Sequence, residues 1–225
     1  MNVEIRKAVA VLVSCLSVGA CMENKSAATD STTAADSTAP ASIADRMAKY
    51  TTVALVADTT PLTPKERQMI PLLIDAARLM DPIYWMQTYG NRDSLISSVS
   101  DADAKTFIDW NYGPWDRLDS NAPFVAGAAT RPPGGNLYPR DLTKAEFDSA
   151  VARGPAPHAD SLKSQYTLVR RAAGGGLEAV PYKVAFKTQN DSAAALLRAA
   201  AALAEDGGLR RYLTLRAAAL TSDDY

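Results

Sequence analysis

Apolar residues recur at helical spacing at Met69, Ile70, Leu73, Ala76, Ala77 and Met80. Ahead of them stands Thr63-Pro64-Lys65-Glu66, with a hydroxyl able to cap, proline at the first helical position and glutamate at the third. The combination predicts a core helix from Pro64 to about Met80. Pro71 falls inside it, and its ring and missing N–H predict a kink or an early break. The pattern continues or restarts after Pro82 through Ile83, Tyr84, Trp85 and Met86. A second helix is predicted from about Ala102 to Trp110, capped by Ser100 or Asp101 and ended by Tyr112-Gly113-Pro114.

The capping-box pattern returns in Thr143-Lys144-Ala145-Glu146 and predicts a helix through Phe147 and Val151. Between these helices, residues 131–139 (RPPGGNLYP) hold too much proline and glycine for regular structure and predict an ordered loop. Tyr166 to Arg171 and Val180 to Phe186 read as two strands joined through Gly174-Gly175-Gly176, a hairpin with a loop of several residues. Asn190 or Asp191 then caps an alanine-rich helix to about Ala204. Gly207-Gly208 stops it, and Leu209 to Leu220 is helical again. Helices, one hairpin and helices again predict an α+β fold, mostly helical with a β-hairpin or small antiparallel sheet.

The beginning of the chain follows other rules. Arg6 and Lys7 precede an apolar, small-residue run from Ala8 to Ala20 that is too short to span a bilayer, and Cys21 follows. Residues 1–20 read as a lipoprotein signal peptide ending in a lipobox-like Val18-Gly19-Ala20-Cys21, with Cys21 as the thiol that takes the lipid. Leu12-Val13-Ser14-Cys15 also fits the pattern but would leave too short an apolar core, and a cleaved signal without lipid is the plainer alternative. Residues 21–42, rich in Ser, Thr, Ala, Asp and Pro, read as a disordered, lipid-anchored linker that cannot bury enough surface to offset its ordering entropy. The folded region is expected over residues 43–225. The location expected is the bacterial cell envelope, with the protein anchored to a membrane and facing the periplasm or exterior.

Charge and composition narrow the function. The chain has 225 residues, 22% charged, with a net charge of -1 and no basic stripe, which argues against a nucleic-acid partner. Both cysteines lie in the leader, so the folded region carries no thiol or disulfide chemistry. One histidine, His158, excludes an HExxH zinc helix, and its loop context suggests a solvated side chain. No G-x-S-x-G is present, and the three glycines lack the lysine of a phosphate-binding loop. No catalytic or metal-ligating residue is therefore assigned. The nine residues 111–119 (NYGPWDRLD) remain as the candidate site. Trp115 and Leu118 can pack, Asp116 or Asp119 can hold nearby N–H groups and Arg117 can pair with a carboxylate; alternatively, Asn111, Tyr112, Asp116 and Arg117 line a ligand cleft.

That segment, with Pro123-Phe124-Val125, residues 133–141 (PGGNLYPRD), Thr143-Lys144-Ala145-Glu146-Phe147, and residues 209–213 and 215–220 followed by Asp223-Asp224-Tyr225, resembles the N-terminal part of bacterial dipeptidyl peptidase III zinc hydrolases. The resemblance covers about Tyr50 to Tyr225. It implies the non-zinc lobe of a two-lobed metallopeptidase that removes dipeptides from the N-termini of oligopeptides. The family holds zinc with an HExxGH helix and a glutamate in an EExxxD-type segment. Neither occurs in these 225 residues. The cofactor expected is therefore none in this chain and zinc in the full-length family protein, with oligopeptides as substrate and the membrane as a partner through the lipid. The chain is expected to be truncated, because the apolar face of Leu213, Leu215 and Leu220 runs into Thr221-Ser222-Asp223-Asp224-Tyr225 with nothing to cover it. The competing expectation is a non-catalytic envelope lipoprotein that binds peptides or a partner protein.

Overall fold

The computed structural model describes residues 41–225. The expected signal peptide, Cys21 as the expected lipidation site and nearly all of the expected linker lie outside the described residues. Among the described residues, those up to Ala57 and those from Asp58 onward fall into two separate compact units. In the first, Ser42 and Asp45 cap a short helix α1 (Ile43–Met47) reciprocally: Asp45 N–H donates to Ser42 Oγ, and Ser42 N–H donates to Asp45 Oδ2, both at 3.2 Å.

The second unit begins its regular structure with α2 (Pro64–Arg78). Thr63 and Glu66 form the expected box, with the Thr63 N–H donating to Glu66 Oε2 at 2.8 Å. The helix runs through Pro71 without breaking, so one lost hydrogen bond is outweighed by the packing of its apolar face. The break falls at Leu79. Helix α3 (Met80–Thr88) starts directly after it, with Pro82 in the first turn, where a missing N–H costs little. Then come α4 (Arg92–Ser97) and α5 (Ala102–Asn111). Asp101, not Ser100, caps α5, accepting from Asp103 N–H at 2.8 Å.

A two-residue ribbon of β1 (Trp115–Asp116) and β2 (Ala122–Pro123) follows. The 131–139 segment is an ordered loop laced to its neighbours. Asn136 donates its amide to Gln87 O at 2.8 Å and its Nδ2 to Met86 O at 2.7 Å, and Val169 N–H donates to Leu137 O at 2.9 Å. Gly135 (φ +58°) belongs there because a Cβ would stand 2.9 Å from Gln87 O.

Helices α6 (Lys144–Arg153) and α7 (Ala156–Lys163) cover one face of the antiparallel hairpin β3 (Thr167–Arg171) and β4 (Leu177–Pro181), burying Leu162, Val169 and Leu177 with Phe147 and Val151 against them. Thr143 caps α6, but the Glu146 carboxylate reaches across to Arg171 instead of back to Thr143. His158 lies on α7, half-buried, and not in a loop.

The second strand lies earlier than expected, at Leu177–Pro181 instead of Val180 to Phe186. After Pro181 the chain turns into α8 (Tyr182–Ala185), whose Lys183 N–H donates to both carboxylate oxygens of Asp223 at 3.0 Å. A cap supplied from a residue 40 positions away leaves no local pattern. Phe186 packs under the hairpin with Ile83 and Leu168. Helix α9 (Lys187–Leu203) begins earlier than either Asn190 or Asp191. Asp206 caps α10 (Gly207–Ser222), so Gly207 and Gly208 open that helix; the break after α9 lies at Ala204.

Alanines on α9 let α2 and α10 approach closely, and Met69, Ala200, Ala201, Ala204 and Leu213 form their shared core. Leu213 is buried and Leu215 on the next stretch of α10 is exposed. No helix among the described residues is long and apolar enough to cross a membrane.

Candidate functional site

Helix α5 stops because Tyr112 takes a left-handed conformation (φ 54°, ψ 41°) and Gly113 follows at φ +152°. The Gly113 N–H closes the turn onto Ile108 O at 3.2 Å. A side chain at Gly113 would meet the Trp115 ring at 2.9 Å, so the close approach of indole and backbone needs glycine. Trp115 is then fixed at its other end, donating Nε1–H to Ala129 O at 2.8 Å.

The polar residues of this segment divide by role. Asn111 is buried: its Nδ2 donates to Phe107 O at 2.9 Å and its Oδ1 accepts from Arg117 N–H at 3.0 Å. Asp116 is fully buried, and its Oδ1 accepts from Leu118 N–H at 3.0 Å while its carbonyl accepts from Asn121 N–H at 2.9 Å. Both are supports for the turn rather than walls of a cleft. Arg117 is exposed; its Nε donates to Asn111 O at 2.9 Å, and its guanidinium carbon lies 5.4 Å from the Tyr84 ring and 5.5 Å from the Tyr112 ring. Those two rings meet edge to face at 4.7 Å.

Tyr112 is the member of the four that faces a cavity. The cavity, about 750 Å³, is lined by Asp81, Trp85, Met86, Arg92, Asp109 and Tyr112 among others. The Tyr112 hydroxyl donates to Asp81. Burial, then the Asp81 carboxylate, pushes the phenol up to about 12, so it stays a neutral donor through ordinary pH. Opposite, Arg92 closes a two-point pair on Asp109 at 2.8 and 2.7 Å and lies 5.9 Å from the Trp85 ring. Asp109 holds the Arg92 guanidinium still more firmly protonated than usual.

Asp81, Trp85, Arg92 and Asp109 were not singled out by the sequence. Trp85 reads as core, and Arg92 and Asp109, 17 positions apart on different helices, share no local signal. The cavity can hold a chain of peptide size against an aromatic wall with fixed donors and acceptors. It does not fit zinc: among the described residues no group of three His, Cys, Asp or Glu side chains converges as a metal site, and Asp81 and Asp109 are committed to Tyr112 and Arg92.

No family model matches the chain. It is similar to Nudix hydrolase 3 of Arabidopsis thaliana, 22% identical over 239 aligned residues that cover 82% of this chain and 31% of that protein. Among solved structures it is similar to dipeptidyl-peptidase III from Corallococcus sp. strain EGB, with a TM-score of 0.72 and 35% identity over 77% of this chain and 33% of the other. It is also similar to DPP III from Caldithrix abyssi, with a TM-score of 0.70 and 32% identity over 75% of this chain and 33% of the other. The chain thus spans about a third of the length of each protein it matches. Over that span it carries the α+β fold of dipeptidyl-peptidase III structures, as its motifs led us to expect.

Proposed function

We propose that this chain forms the N-terminal, non-zinc part of an exported, lipid-anchored metallopeptidase that releases dipeptides from the N-termini of oligopeptides. The observation that carries the reading is the likeness to two dipeptidyl-peptidase III structures at 35% and 32% identity. Supporting it, the 750 Å³ cavity offers an aromatic wall and fixed polar groups suited to a peptide backbone. Zinc, which the resemblance implies, does not fit the described residues, so no step of the reaction is assigned to them. The metal chemistry belongs to a zinc-binding part of the full-length protein. The leader, with Arg6, Lys7, the apolar run and Cys21, supports export and lipidation at the cell envelope.

The test is dipeptide release from a dipeptidyl-naphthylamide by the natural gene product purified from the envelope. Release abolished by a chelator and restored by zinc is the expected result. A zinc-replete product that cleaves nothing would overturn the peptidase reading and leave a peptide-binding lipoprotein in its place. Separately, Cys21→Ala should move the protein from the membrane to the soluble fraction, and retention of fatty-acid labelling by that variant would refute the anchor.

A further inference from the structure

We propose that Arg117 is a preorganised anion-binding fork that takes the carboxylate of a peptide ligand. Its guanidinium is already positioned. Nε donates to Asn111 O at 2.9 Å, its own amide is held by Asn111 Oδ1 at 3.0 Å, and the rings of Tyr84 and Tyr112 lie 5.4 and 5.5 Å from its central carbon. Yet no described residue accepts a hydrogen bond from its two terminal amino groups, and the side chain is exposed. The other ordered arginines near acids are consumed: Arg78 closes on Asp75, Arg92 on Asp109, and Arg171 on Asp141 and Glu146.

The chemistry follows from the shape. A planar guanidinium whose Nε is already engaged still offers N–H groups from both terminal nitrogens, and a carboxylate accepts two of them side by side. An arginine held in place loses little further rotamer freedom on binding, so more of the contact energy appears as affinity. Asp81, the acid bonded to the neighbouring Tyr112, already accepts from that hydroxyl. The Tyr112 ring lies 5.5 Å from the Arg117 guanidinium carbon and also lines the 750 Å³ cavity, so one side chain links the fork to the cavity wall. That the carboxylate belongs to a peptide rests on the function proposed above; the fork itself does not.

The experiment uses the 225-residue chain and follows the Arg117 Nε–Hε resonance by NMR, assigned by its loss in Arg117→Gln. The probes are N-acetyl-tetra-alanine as the free acid, the same peptide as the C-terminal amide, and acetate. The expected result is a saturable shift with the acid, at least about tenfold weaker binding of the amide, and a similar loss for the acid in Arg117→Gln and Arg117→Lys. Equal binding of acid and amide would overturn the fork while leaving a peptide site standing. A saturable shift with acetate but none with either peptide would uphold the fork and remove the peptide. No shift with any probe, in a chain whose Arg117 signal is present, would overturn the proposal outright.

Discussion

Asn111 and Arg117 are joined twice: the Arg117 amide donates to Asn111 Oδ1 at 3.0 Å, and Arg117 Nε donates to the Asn111 carbonyl at 2.9 Å. Asn111 in turn ties back to Phe107, so the helix end and the turn beyond it behave as one piece. The segment from Asn111 to Asp119 is therefore well fastened. Its buried residues hold the turn, and its exposed arginine is what the turn presents.

Removing the Asn111 side chain tests this. Asn111→Ala removes the acceptor of the part-buried Arg117 N–H and the second donor to the Phe107 carbonyl, and the expected loss is about 1–3 kcal/mol of folding stability. Urea unfolding followed by circular dichroism measures it. A midpoint indistinguishable from the native chain would mean that water or a neighbour replaces the amide.

Much of the helical framework was readable because its signals are local. Thr63, Asp101 and Thr143 announce helix starts within three residues, and Met69 lies on the predicted apolar stripe of α2 and is buried. Two of the misreadings share one cause, partners distant in sequence. Val180 to Phe186 reads as strand, yet Asp223 caps a helix at Lys183. Glu146 fits a capping box, yet Arg171 captures it. The cavity stayed hidden for the same reason, since Asp81 with Tyr112 and Arg92 with Asp109 meet only after folding.

Gly135 offers a steric test. Gly135→Ala would put a methyl 2.9 Å from Gln87 O, a backbone atom that cannot swing away, at a φ of +58°. Gly175→Ala also meets positive φ, +87°, but open space. The Gly175 change should cost about 1 kcal/mol from backbone conformation and the Gly135 change clearly more. Comparable thermal midpoints for the two variants would show that the loop relaxes around the clash.

The α2–α9–α10 core makes a contrast within one helix. Leu213 is 4% exposed and Leu215 is 55% exposed. Leu213→Ala should lose about 2–5 kcal/mol by cavity formation, and Leu215→Ala should stay within about 0.5 kcal/mol. Chemical denaturation of the two variants decides it; a large cost at Leu215 would mean that this face is covered in solution.

On the acid side, Arg171 holds Asp141 at 2.7 Å and also pairs with Glu146, and it lowers both carboxyls below their ordinary values of 3.8 and 4.5. A carboxyl depressed in the folded state adds stability that is present above its unfolded value and lost as pH falls through the folded one. Native protein should therefore lose stability below about pH 4.5 more steeply than Arg171→Gln, and the two curves should converge in strong acid. Parallel unfolding curves from pH 6 down to pH 2 would show that the three side chains are not coupled in solution.

The alkaline side carries the opposite sign. The Tyr112 phenol is pushed up to about 12 in the folded chain from an ordinary 10.0, first because it is buried and next because Asp81 accepts its hydrogen bond. Between those two values the unfolded chain releases a proton that the folded chain keeps. The stabilisation is thus complete below pH 10 and drains away as pH rises through about 12. Tyr112→Phe cannot ionise and cannot donate to Asp81, so it should be less stable than native at pH 8 and should approach the native curve as pH climbs. Tyr182 and Tyr225 are also raised, which makes the difference between native and variant the informative quantity rather than either curve alone. Urea unfolding at intervals from pH 8 to pH 12 supplies that difference. A gap that stays constant over the range would show that the Tyr112–Asp81 bond does not hold the phenol neutral.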